Sequence, residues 1–196
     1  MTSRHRLHIV RSSITATLFA VTASVGLTAT TASAAPYCGL TWGSLPKEAS
    51  LSLAPSDPTI SSAVVNVRSG RHACYDRLVV DVRSGGTAAS VAYVSTVFND
   101  PRGDVVQLRG GARLQIVVHS PTSDINTGNS TYSPADPSEL TSVTGNRTFR
   151  QVASAGSFEG QSNIGLGVRA RLPFRVFVLA GPGTGSRVVI DVAHRW

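Results

Sequence analysis

The chain has 196 residues, with 18 Lys and Arg against 11 Asp and Glu, a formal net charge of +7 and only two cysteines. Arg4, Arg6 and Arg11 stand ahead of an apolar leader, so the remainder carries 15 basic against 11 acidic residues. That mild excess removes the main support for nucleic-acid binding, and none is expected. The length suits one domain rather than two.

The first element in chain order is the leader. The three arginines precede an uncharged stretch over 12–31 with an apolar centre at Leu18, Phe19, Ala20 and Val21, followed by Ala32-Ser33-Ala34. A basic head, an apolar centre and a small-residue cleavage site in that order form an export signal. Residues 1–34 are therefore read as a signal peptide, with the mature chain starting at Ala35 and no stable membrane insertion after cleavage. The expected location is extracytoplasmic, either released or associated with the cell wall. Such compartments are oxidising, and Cys38 and Cys74, the only cysteines, are predicted to form a disulfide.

Residues 35–59 read as an extended N-terminal arm, rich in Ser, Pro and Ala and without a strand. From Ile60 onward, β-branched runs alternate with Gly, Pro, Asn and Asp clusters, and no segment keeps a helical period for three turns. Strands are predicted at 63–67, 77–83, 91–98, 104–108, 113–119, 149–155, 164–172, 174–179 and 187–193. A short helix is possible at 47–53 or 137–140. The fold class is all-β, a mainly antiparallel sandwich or a partly closed barrel spanning 60–196.

Two features stand out within that pattern. Residues 121–138 make a long polar connection of the kind that is usually functional or mobile. Arg77-Leu78-Val79-Val80-Asp81-Val82 and Arg187-Val188-Val189-Ile190-Asp191-Val192 repeat one motif. In a strand, each motif puts three apolar side chains on one face and its Arg and Asp on the other. Antiparallel pairing of the two would set Arg77 against Asp191 and Arg187 against Asp81, whereas parallel pairing in register would juxtapose like charges.

Catalytic patterns are missing from the mature sequence. No Gly-x-Ser-x-Gly occurs, and Ser157 in Gly156-Ser157-Phe158-Glu159-Gly160 has the wrong spacing for a nucleophile elbow. His72, His119 and His194 show neither a His-x-His nor a His-Glu-x-x-His spacing, and nothing selects a pair from Asp124, Asp136, Glu139 and Glu159. No catalytic residue, metal ligand or cofactor is assigned. Arginines interleaved with aromatics are more distinctive, because guanidinium forks grip carboxylates and phosphates. Arg147, Phe149, Arg150, Arg169, Arg171 and Arg175 are the candidate binding residues, with Arg169 and Arg171 on one strand face facing an acidic glycan or peptide stem.

Tyr75 to Val82, Arg147 to Val152, Ser157-Phe158-Glu159-Gly160-Gln161, Gly165 to Val176 and the closing Asp191-Val192-Ala193-His194-Arg195-Trp196 together resemble the AMIN-like domain proteins of actinobacteria over roughly residues 60–196. The resemblance implies a β-sandwich module of the kind that helps place envelope machinery on peptidoglycan. The resulting expectation is a secreted, non-catalytic cell-envelope module binding peptidoglycan or an envelope protein. Two alternatives stay open: a partner-binding inhibitor or assembly factor that uses the 121–138 loop, and a secreted hydrolase with a non-motif active site.

Overall fold

The β-branched runs become strands. A computed structural model of the protein describes residues 37–55, 57 and 59–196, and the expected signal peptide lies outside the described residues. The strands are β1 (Lys47–Leu51), β2 (Val64–Arg71), β3 (Tyr75–Val82), β4 (Thr87–Val94), β5 (Val97–Phe98), β6 (Val105–Val106), β7 (Ala112–Val118), β8 (Phe149–Phe158), β9 (Gln161–Val168), β10 (Phe174–Ala180) and β11 (Ser186–Ala193). One sheet runs β1-β4-β7-β9-β8, a second runs β10-β11-β3-β2, and β5 and β6 form a separate ribbon. Every named strand pair is antiparallel. Neither sheet closes on itself, so the architecture is a sandwich and not a barrel. The one helical piece among the described residues is a 3-10 turn at Tyr37–Gly39.

The two repeated motifs lie side by side, with Leu78 opposite Ile190, Val80 opposite Val188, Arg77 opposite Asp191 and Asp81 opposite Arg187. Their apolar faces turn inward. Leu78, Val80, Val188, Ile190 and Val192 are fully buried and pack against Leu114, Ile116, Val118, Val152, Leu166 and Val168 of the larger sheet. Each such side chain contributes roughly 1.5–3 kcal/mol of transfer free energy, so this interlayer seam is what holds the sheets together.

A smaller cluster lies on the outer face of the larger sheet, where Val97 and Leu108 cover Ala153 and Ala155. Glycines in β9 permit it. A Cβ at Gly167 would stand 2.1 Å from the Arg109 carbonyl oxygen, and one at Gly165 would stand 2.8 Å from Leu108 Cδ1.

Two sequence expectations are corrected. Residues 47–51 form neither a helix nor a bare arm, because β1 pairs along its whole length with β4, from Lys47–Val91 to Leu51–Thr87. Lys-Glu-Ala-Ser-Leu has little strand propensity, and the open edge of β4 overrides it. Residues 137–140 form a turn.

The long polar connection is a strap across one open side of the sandwich, between edge strands β2 and β8. Val64 N–H donates to the Pro121 carbonyl (2.8 Å), Leu140 N–H to Val152 (2.7 Å) and Ser154 N–H to Pro137 (2.7 Å). Thr131 Oγ1 donates to the Val64 carbonyl at 2.8 Å, and Tyr132 and Leu140 pack on the core. The strap therefore occupies backbone groups that an edge strand would otherwise expose.

Arg83 clamps the start of this strap by an ion pair to Asp124, whose other oxygen accepts the Asn126 N–H at 2.8 Å. The Arg83 hydrogen bond, then that backbone N–H, hold the Asp124 carboxyl below its ordinary value. A depressed native value means the clamp stabilises the fold above the unfolded titration near pH 4 and is lost as pH falls through the native one. The urea midpoint should therefore fall on acidification below about pH 4. Asp124→Asn should flatten part of that slope, and an unchanged slope would remove the clamp from the account.

Cys38 and Cys74 are bonded to each other, and the arm continues to Gly43, whose carbonyl accepts the Phe174 N–H at 3.0 Å. Closing a 36-residue separation restricts the unfolded chain, by about 4 kcal/mol in the chain-entropy treatment. Replacing both cysteines by serine should lower the urea unfolding free energy by about that amount. A loss below about 1 kcal/mol would show that the other contacts of the arm hold it unaided.

Candidate functional site

The six candidate binding residues separate into three groups. Phe149 leaves the set, because it is 1% exposed and sits in the core between the sheets. Its place at the start of β8, opposite Val168, points its ring inward. The correction is one of strand parity.

Arg175 lies on the outer face of the smaller sheet, one row from the core. Across β10, β11 and β3 the register sets Arg175, Asp191 and Arg77 in line. Asp191 is fully buried and receives Arg77 Nε at 2.7 Å, Arg77 Nη2 at 2.9 Å and Arg175 Nε at 2.8 Å. The hydrogen bond to Asp191 raises the Arg77 guanidinium above its ordinary value. Aromatic rings enclose both cations. Arg175 is 4.5 Å from the Trp42 centroid and 5.0 Å from that of Phe177, and Arg77 is 5.3 Å from Tyr75. His72 stacks on Tyr75 at 4.7 Å. The two guanidiniums share one carboxylate and pack against rings of the arm and the sheet, so the cluster ties the arm to the sheet.

The remaining four converge at one end of the sandwich. Where β2 ends, β8 begins, β9 ends and the chain leaves β11, Arg147, Arg150, Arg169 and Arg171 are joined by Arg71 and Arg195. Backbone carbonyls anchor four of the six. Arg71 donates to Gly145 (3.3 Å), Arg150 to Arg147 (3.2 Å) and Phe149 (2.9 Å), Arg169 to His194 (2.6 Å) and Arg171 to Ser44 (3.2 Å). Arg171 also lies 5.1 Å over the Tyr93 ring, and Arg195 lies 5.5 Å from that of Tyr37. Among the described residues, the arginines paired with a carboxylate are Arg68, Arg77, Arg83, Arg102, Arg109 and Arg175. None of the six at this end belongs to that group. A carbonyl fixes a guanidinium without cancelling its charge, so this end presents several positioned and uncompensated cations.

The strand expectation for Arg169 and Arg171 does not hold. β9 stops at Val168, and both residues stand in the loop that leads to β10. What brings them to Arg147 is the backbone bond from Arg169 N–H to the Thr148 carbonyl (2.8 Å), a contact between distant segments. Arg71 stands in an arginine–aromatic run of its own, Arg71 to Arg77, and Arg195 in none; tertiary neighbourhood is what adds both to the set.

The floor beneath these loops is a buried polar pair. His194 Nε2 lies 3.0 Å from Asp76 Oδ1, with the residues 3% and 0% exposed. Asp76 Oδ2 accepts the Thr148 N–H at 2.5 Å and the Phe149 N–H at 3.2 Å. Burial leaves the pair no contact with a substrate, and its observed work is to pin β3, the entry to β8 and the exit from β11 together. His119 lies elsewhere, lining with Glu48, Ser50 and Ser90 a shallow groove of about 410 Å³ over β1 and β4. No hydrogen bond joins those four side chains, and the groove is floored by Ala88 and Ala89. Among the described residues no three His, Cys, Asp or Glu side chains gather as a metal site.

A family model for the AMIN-like domain matches residues 62–194. The chain belongs to the AMIN-like domain family. A search of curated proteins gives no match. The matched span takes in both repeated motifs, the strap and all the arginine-bearing loops up to His194. The AMIN-like domain suggests a module related to the cell envelope, and the Cys38–Cys74 bond is compatible with an extracytoplasmic location.

Asp191→Asn should destabilise this AMIN-like domain by about 2–3 kcal/mol in urea unfolding. That is less than the roughly 3–5 kcal/mol of a fully buried pair, because both guanidiniums keep part of their surface in water. Arg68→Ala, which breaks an exposed pair with Asp81, should change stability by less than about 1 kcal/mol. Equal losses in the two variants would refute this ranking.

Proposed function

We propose that this protein is an exported, non-catalytic module of the cell envelope that binds peptidoglycan or an envelope protein through the arginine-bearing end of its sandwich. The observation that carries the reading is the way Arg71, Arg150, Arg169 and Arg171 are held by carbonyl oxygens and by no carboxylate. Cations fixed in this way keep their attraction for an anionic partner and lose little side-chain freedom when it arrives. Membership of the AMIN-like family and the disulfide support the envelope as the setting. A binding role is favoured over hydrolysis by the Glu48–His119 groove, where no nucleophile is hydrogen-bonded to a base and the open surface does not exclude water.

The test is sedimentation of the exported chain with purified cell-wall sacculi. The wild type should be retained, and Arg147→Ala/Arg150→Ala/Arg169→Ala should bind about tenfold or more weakly, as expected for three contacts of roughly 0.5–1 kcal/mol each. Retention no better than that of a control protein would reject the peptidoglycan branch. Crosslinking in living cells should then capture one dominant envelope protein, and failure there as well would reject the whole reading.

A further inference from the structure

We infer that the arginine end takes a linear polymer bearing a phosphodiester in each repeat, a claim that rests on the envelope-binding reading above and names the chemistry of its ligand. The guanidiniums at this end supply donors only. The carbonyls of Ser44, Gly145, Arg147, Phe149 and His194 already accept from arginine side chains, and that of Arg171 accepts the Trp196 indole N–H at 3.0 Å. What these side chains offer a ligand is guanidinium N–H, which donates and cannot accept.

A ligand rich in amides or hydroxyls brings donors of its own, to which the guanidiniums offer no acceptor. A phosphodiester brings only acceptor oxygens and one fixed negative charge. Its two free oxygens match the planar guanidinium fork.

The distribution of the cations argues for a chain over a small anion. They come from the end of β2, the entry to β8 and its first residues, the β9–β10 connection and the segment after β11, so no single loop cradles them. The concavity of about 410 Å³ over β1 and β4 holds none of them. Single exposed charge pairs are worth little, so useful affinity requires several on one polymer.

An acidic protein partner fits less well. Protein interfaces rely on a buried apolar or aromatic anchor. Most of the exposed apolar side chains, Phe98, Val105, Ile125 and Phe158 among them, sit elsewhere, on the β5–β6 ribbon, the strap and the β8–β9 turn, while Leu45 follows the Ser44 that holds Arg171. Trp196 is the exposed aromatic beside the arginines.

The experiment compares retention of the exported chain on intact sacculi with retention on the same sacculi after hydrofluoric acid has cleaved their phosphodiesters. Poly(glycerol phosphate) and poly-glutamate of equal charge serve as soluble competitors. Stripping should weaken retention at least tenfold, poly(glycerol phosphate) should compete and poly-glutamate should not. Raising salt from about 50 to about 200 mM should weaken binding to the phosphate polymer by roughly 50-fold, the value for about four phosphate contacts on a flexible strand.

Undiminished retention on stripped sacculi would overturn the polymer assignment and leave the envelope-binding reading standing. Equal competition by poly-glutamate would also overturn it, since carboxylate charge would then suffice. Competition by single-stranded DNA that depends on base sequence would do the same. No retention on either form of sacculi, without binding to poly(glycerol phosphate), would remove this inference together with the peptidoglycan branch.

Discussion

Asp191 is a carboxylate with no exposed surface, and the smaller sheet is organised around satisfying it. An unpaired charge in that position would cost several kcal/mol, so its neighbours on both sides must be cations in the right row of the sheet. The antiparallel register of β3 against β11 meets that demand by placing Arg77 beside it, and β10 adds Arg175 on the other flank. A slip of one residue would turn every one of these side chains to the opposite face and bring Leu78 and Ile190 out of the core. Charge and hydrophobic pattern thus select the same pairing.

The twin motif asks for a second ion pair, and the structure uses that position differently. Asp81 faces Arg187 in register, yet its carboxylate takes Arg68 from β2 at 2.9 Å, while Arg187 donates to the Ala180 carbonyl. Arg68 can approach with both Nε and Nη2, a two-point contact. Register decides which residues are neighbours, and hydrogen-bond geometry decides which neighbour is chosen.

Much of the fold was legible because its signals are local. Alternation in 77–82 and 187–192 named the buried faces correctly, and the two cysteines named their own bond. β1 was hidden because Lys47 to Leu51 contains no β-branched residue, and its strand state is imposed by an edge that only the folded protein offers. The strap was legible as a long polar loop, but its bonds to Val64, Val152 and Ser154 join segments far apart in sequence. The candidate site was half visible. Spacing picks out Arg147, Arg150, Arg169 and Arg171, includes Phe149, whose ring lies in the core, and gives no sign that Arg175 shares a buried acid with Arg77.

The contrast between Arg175 and Arg169 shows why counting arginines says little about function. Arg175 is tied to Asp191, which it shares with Arg77, and is flanked by Trp42 and Phe177, so it serves to fix the arm. Arg169 reaches the carbonyl of His194, and that residue is in turn fixed by Asp76 from below. The same Asp76 holds the amides of Thr148 and Phe149, next to Arg147 and Arg150. One buried carboxylate therefore sets the backbone of two arginine-bearing segments through its bonds to those amides and to an imidazole beneath the surface. The guanidiniums above it are held in place with their charge intact, which is the condition an anion-binding surface needs.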